Sequence, residues 1–173
     1  MANDLLALLD NDAEPDALLG ALMPALGIAL DCDRCVLFLR EPHSRQARAP
    51  HRWQRKPEFA LTRADDGWQV EPDGLVDDDP MFELALRDPA ALYIENVLTA
   101  DQALVNGPYE VEHFGHQALV HAPIYNDGLM YGILEPCVMG QPRVWSPSDR
   151  ATVTMVQSRI GPVAAAYVAA NCT

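Results

Sequence analysis

Two apolar runs of alternating character, QALVHAPIY (117–125) and LMYGILEPCV (129–138), stand on either side of Asn126-Asp127-Gly128. A period of two places Ala118, Val120, Ala122 and Ile124 on one face and Leu119, His121, Pro123 and Tyr125 on the other. A tight polar turn between two such runs predicts a β-hairpin. A long helix is then expected over 146–170, with Ser146 as N-cap, Pro147 at the first position and Asp149 in the first turn. Val153, Val156, Ile160, Val163, Ala164, Tyr167 and Val168 form its apolar stripe, and Gly161-Pro162 should bend it. A hairpin and a striped helix each need a cover for their apolar faces, and covering each other satisfies both.

The remaining segments extend this plan. Residues 16–30 carry Leu18, Leu19, Leu22, Leu26 and Leu30 at helical spacing, with Pro15 ahead and Pro24 inside as a kink. Residues 3–9 suit a shorter preceding helix. CVLFLR (35–40) reads as a buried strand, Glu41-Pro42-His43-Ser44 as a turn, and QARAPHRWQ (46–54) as the next strand. Pro50 cannot donate to a ladder, which puts that strand at an edge. Asp65-Asp66-Gly67 signals a hairpin turn leading into Trp68-Gln69-Val70. Residues 79–87 form a short helix capped by Asp79 with Pro80 first and Pro89 ending it. Residues 91–94 form a brief strand, and 99–116 a mixed loop and short helix. No repeat or linker divides the chain. The expectation is one domain over 1–173 with an α/β (α+β) fold: a central antiparallel sheet with the terminal helices packed on one face.

Charge narrows the partners. With 25 acidic residues against 12 Lys and Arg, the formal net charge is −13, which repels nucleic-acid phosphates and anionic lipid. A local basic stretch (Arg45, Arg48, His51, Arg52, Arg55, Lys56) reads as a solvated edge, with a docking patch for an acidic partner as the alternative. No stretch reaches the ~20 apolar residues of a membrane span. Residues 1–9 lack the basic start and apolar run of a secretory signal, so a cytoplasmic location with free thiols is expected.

Three segments resemble the GAF domain family, over roughly residues 14–170. LGIALDCDRCVLFLREPHSRQ is similar to the family's helix end, loop and first strand. ALYIENVLTAD is similar to its strand followed by a "D-V" step, here Glu95-Asn96-Val97. FGHQALVHAPIYNDGLMYGILEPCVMGQPRVWSPSDRATVTMVQ is similar to its C-terminal block: a small-residue-rich strand, an Asp-Gly turn, a Gly-containing return strand and a W-S-x-x-D helix start. The resemblance implies a pocket on the face opposite the helices, roofed by residues 57–116. Family members bind cyclic nucleotides, linear tetrapyrroles, haem, small metabolites or nothing, so fold alone leaves the ligand and any cofactor open.

Against those chemistries the residues read as follows. Bilin-binding relatives attach the chromophore through a cysteine, usually followed by histidine, ahead of the hairpin; here the stretch is Val111-Glu112-His113-Phe114-Gly115-His116. The "N-K … F … D-E" signature of phosphodiesterase-type relatives is missing. His113, His116 and His121 lie near one another in sequence and could serve haem or a metal, although a half-buried hydrogen-bonded His121 explains the pattern without one. Cys32-Asp33-Arg34-Cys35 is a CxxC at a helix end rather than a helix start, with no second pair for zinc. Redox relatives that share the fold use cysteines over the pocket, and residues 36–136 contain none. Asp77-Asp78-Asp79 reads as helix capping, with a divalent-cation site as the alternative.

The expected function is a non-enzymatic sensory or regulatory module that binds a small ligand or a partner protein. The alternative is an interaction module with a collapsed pocket. The expected pocket wall is Trp53, Phe82, Tyr93, Phe114, His121 and Tyr131, with no metal. Apolar surface left over on the terminal helices would form a homodimer seam. The chain closes three residues after the last predicted helix, so output is expected from a partner or from the parent of an excised piece.

Overall fold

The local signals and the backbone agree closely in the computed structural model, which describes residues 2–61 and 67–172 (side chains from Asp4 onward). Helix α1 spans Ala2–Leu9 and α2 spans Pro15–Ala29. Strand β1 spans Arg34–Arg40 and β2 spans Gln46–Gln54. Then come β3 (Gln69–Val70), α3 (Leu75–Asp78), α4 (Pro80–Ala85), β4 (Leu92–Ile94) and α5 (Gly107–His113). The chain closes with β5 (His116–Asn126), β6 (Leu129–Met139) and α6 (Pro147–Asn171). The expected Asp65-Asp66 turn lies outside the described residues.

Capping explains where the helices start. Ser146 Oγ accepts from Asp149 N and the Asp149 carboxylate accepts from Ser146 N, a reciprocal box that satisfies two otherwise orphan donors. Asp79 Oδ1 accepts from Phe82 N at 3.0 Å and starts α4 behind Pro80. Between β5 and β6, Asp127 and Gly128 both take positive φ (49° and 79°), the twist a two-residue hairpin turn requires.

The strands form one antiparallel sheet in the order β3-β2-β1-β6-β5-β4. The strand expected at an edge, β2, is second in this order, because β3 pairs with its Gln46 and Ala47; Pro50 is accommodated on the part of β2 that β3 leaves uncovered. On one face α2 and α6 bury Leu18, Leu22, Leu26, Val156 and Ile160 against Leu37, Val120 and Leu134. Each such side chain contributes on the order of 1.5–3 kcal/mol, which makes this layer the main source of stability. Both terminal helices touch the sheet at a glycine. A Cβ at Gly27 of α2 would collide with the indole ring of Trp53, and one at Gly161 of α6 would collide with the carbonyl oxygen of Tyr125.

The opposite face carries the roof. Strands β3 and β4 apart, the described residues between 57 and 115 supply it as α3, α4 and α5 with their connecting loops. Two register shifts in the β5–β6 ladder adjust which side chains meet it. Gln117 is the extra residue between His116↔Met139 and Ala118↔Val138, and Tyr131 is the extra residue between Met130 and Gly132. A bulge of this kind re-aims the neighbouring side chains.

Candidate functional site

Beneath the roof lies a cavity of about 160 Å³. Phe38, Phe82, Tyr109 and Phe114 supply its aromatic wall, with Met130 and Ile133 from β6. Phe114 sets its ring edge-on to Phe38 (6.2 Å between centroids) and to Tyr109 (6.0 Å). At the rim Arg40 makes a two-point ion pair with Glu71, which also accepts from Arg45 at 3.2 Å. The remaining charged groups on the wall are Asp79, His121 and Glu135, all buried.

Strand geometry assembles this floor. His121 on β5 and Glu135 on β6 project from neighbouring strands, and His121 Nδ1 donates to Glu135 Oε1 at 2.8 Å. His121 Nε2 is buried and has no hydrogen-bond partner. A second pair lies behind it: His116 Nε2 sits 2.7 Å from Glu110 Oε2, both side chains at most 1% exposed. His116 Nδ1 and Glu110 Oε1 are likewise without partners. Arg34 donates to the carbonyl oxygens of Phe59 (3.3 Å) and Phe114 (2.9 Å), tying β1 to the roof.

Burial and mutual charge reset these groups. Burial pushes Glu110 up to about 9, and the charges of Glu135 and Asp79 push the same way. Asp79 is raised by burial and by Glu135, against the opposing pull of His121 and of the helix amides it caps. Burial disfavours the charged form of His121, but the hydrogen bond and charge of Glu135, joined by Asp79 and Glu110, outweigh it and hold the imidazole above its ordinary range. Burial would raise Glu135, yet His121, then His116 and Arg34, bring it below the usual carboxylate range. Glu135 and His121 thus favour each other's charged form, while Glu110 keeps a neutral carboxyl at neutral pH. Titratable groups shifted by burial and by one another at a cavity mark it as a candidate site.

Of the six side chains expected at the pocket, Phe82, Phe114 and His121 line the cavity. Trp53, Tyr93 and Tyr131 do not: they pack against the helix-side core. Trp53 lies over Gly27, and Tyr93 pairs with Val120, a residue of the helix face. Tyr131 is the extra residue of the β6 bulge, so simple alternation mis-assigns its neighbours. Glu135 on the wall and Glu110 behind it were not singled out, and Asp79 was singled out only as a helix cap or cation ligand. Glu135 had a usable signal, a lone acid inside the apolar run GILEPCV facing the strand of His121.

The three histidines do not converge on a metal. His113 stacks on Tyr109, while His116 and His121 each take a glutamate. Among the described residues no group of three or more His, Cys, Asp or Glu is arranged to hold an ion. Asp79 uses Oδ1 for the α4 cap. Cys32, Cys35 and Cys137 are free, buried thiols, and burial pushes Cys32 and Cys35 well above the ordinary thiol range, which suppresses thiolate chemistry. Much of the basic stretch is paired internally: Arg45 with Glu71, Arg55 with Asp31 (2.6 Å) and Lys56 with Glu58 (3.9 Å).

The GAF domain family profile matches residues 14–162, the greater part of the chain. The chain belongs to the GAF domain family. No curated protein sequence matches it at a significant level. Solved GAF domains share its fold at low sequence identity. The GAF domain of an Acinetobacter phosphoenolpyruvate-protein phosphotransferase is 12% identical, with 98% of this chain and 92% of that one covered and a TM-score of 0.69. The phycoerythrobilin-bound GAF domain from a cyanobacterial phytochrome is 14% identical, covers 99% and 96%, and has a TM-score of 0.72. The corresponding domain of the Coxiella burnetii phosphotransferase is also 14% identical, covering 98% and 91%, with a TM-score of 0.69. Among the described residues no helix is long and apolar enough to cross a membrane.

Proposed function

We propose that this GAF domain is a non-enzymatic sensory module of the cytoplasm that holds a compact ligand under its roof. The observation that carries the reading is His121: a buried imidazole at the wall of an aromatic cavity, one nitrogen committed to Glu135 and the other unpartnered. A buried polar atom without a partner costs about 1–3 kcal/mol, and a ligand that meets it removes that cost. The volume favours a small occupant. A dry cavity of about 150 Å³ accommodates benzene, whereas drug-sized ligands need roughly 300 Å³ or more. One ring or a short chain therefore suits this site, and a linear tetrapyrrole does not.

Among the described residues that line the cavity there is no Ser, Thr, Cys or Lys to act as nucleophile beside His121, which supports binding rather than turnover. The net charge of −13 supports a module whose partners exclude nucleic acid and anionic membranes. Homodimerisation through the terminal helices belongs to the same proposal on narrower support, since Ile28 is the large apolar side chain that α2 leaves exposed. Native mass spectrometry of freshly purified protein tests both parts. A mass above that of the chain, lost on denaturation, supports the ligand; a doubled mass supports the dimer. A clean monomeric chain that also gains no mass from a small-molecule library would overturn them.

A further inference from the structure

The charges on the cavity wall do not balance. Arg40 and Glu71 cancel at the rim through their two-point pair. Inside, His121 faces Asp79 from the start of α4 and Glu135 from β6. Glu110 of α5 stands behind them with Oε1 unpartnered. Arg34 reaches this group from β1, but its guanidinium is held by two roof carbonyls. On the wall itself two carboxyl groups, Asp79 and Glu135, thus share one imidazole, with the neutral Glu110 and the tethered Arg34 guanidinium behind them. Above them the wall is aromatic, and ring faces carry negative quadrupole charge. Phe114, edge-on to both Phe38 and Tyr109, sits at the centre of that wall.

We propose that the cavity receives a compact organic cation: an ammonium or amidinium group on a single ring or short apolar chain, set against Asp79 and Glu135, with its body among Phe38, Phe82, Tyr109 and Phe114. The inference rests on the ligand-binding reading above and adds the class of ligand. A cation over aromatic faces gains both quadrupole attraction and desolvated carboxylate contacts. An anion of the same size would meet the carboxylates of Asp79 and Glu135. The N–H of such a ligand is also the natural partner for His121 Nε2, whose lone pair becomes available once Nδ1–H alone binds Glu135. Cation binding therefore expels protons from the His121, Asp79 and Glu110 group. The fixed charges facing it are Arg34, Arg40 and Glu71, with His116 and His113 at its α5 side. The acidic exterior concentrates cations around the domain before they enter.

Isothermal titration calorimetry of the whole chain with three probes of one shape tests this: benzylamine, benzyl alcohol and benzoate. Benzylamine is expected to bind most tightly, benzoate not at all. Asp79→Asn keeps a side chain that caps helices well, so the variant should fold. It is expected to weaken benzylamine about ten-fold and leave benzyl alcohol unchanged. In the unaltered protein, benzylamine affinity should rise between pH 6 and pH 8, a readout independent of any variant. Benzoate binding as well as benzylamine, or Asp79→Asn without effect together with a flat pH profile, overturns the inference. Benzyl alcohol binding without benzylamine removes the cation and keeps the pocket. Silence of all three removes the inference, and with a clean native mass it removes the ligand reading as well.

Discussion

His121 Nδ1 and Glu135 Oε1 meet at 2.8 Å beneath the roof, and neither side chain has more than a tenth of its surface in solvent. Removing one partner leaves the other buried and uncompensated. His121→Ala should therefore cost about 3 kcal/mol or more in urea unfolding. Replacing both residues with leucine should return much of that loss, because an apolar pair needs no partner. If the single substitution costs under about 0.5 kcal/mol, the pair is not buried as described.

The same group sets a pH profile. Glu110 is raised to about 9 in the fold, so the folded state holds a proton that the unfolded chain gives up near its ordinary value. Stability should fall as pH rises from the ordinary carboxylate range toward 9. His121 is also raised; its contribution is complete below its ordinary range and is lost as pH climbs through the folded value. Glu135 is lowered and opposes both, with its contribution lost only in acid. Melting temperature is expected to peak on the weakly acidic side and decline toward pH 9. Glu110→Gln should flatten that alkaline decline. A melting temperature that climbs from pH 6 to pH 9 contradicts the assignment.

The two contact glycines should respond unequally to alanine. At Gly27 the obstacle is the Trp53 ring, a side chain that can shift. At Gly161 it is the Tyr125 carbonyl, part of the sheet backbone. Gly161→Ala is expected to cost about 2–3 kcal/mol and Gly27→Ala about 1, in line with over-packing elsewhere. Thermal or urea unfolding of the two variants checks the order, and a reversed order refutes the geometry.

Thiol accessibility separates structural from reactive cysteines. Cys32, Cys35 and Cys137 are buried and Cys172 is half-exposed near the end of α6. A thiol reagent should titrate one group in the native protein and three more only after denaturation. Rapid reaction of a second native thiol would reopen redox chemistry at the CxxC.

Legibility followed the range of the signals. The hairpin and α6 were readable because alternation, a turn and a capping box lie within a few residues of one another. The missing donor of Pro50 is also a local fact, but it marked only an unpaired stretch of β2 and not the edge strand, which is β3. Pocket membership is not local. Phe82, Phe114 and His121 were found because they sit near the roof or on a strand whose alternation holds. Tyr131 was misplaced because a one-residue bulge in β6 breaks the alternation, and no local pattern announces it. Trp53 and Tyr93 were read as pocket aromatics on size alone, while their strand register turns them to the helices. Glu110 offered nothing to sequence reasoning; its importance comes entirely from His116, six residues on, being turned toward it.

The unequal glycine contacts also bear on how such a domain can drift over generations. A side chain at position 27 could be absorbed if Trp53 shrank in step, so that site allows paired change. Position 161 has no such partner, since every residue at 125 presents the same carbonyl. The first terminal helix can thus re-seat itself by substitution, whereas the last is held to its present course for as long as the hairpin beneath it keeps its path.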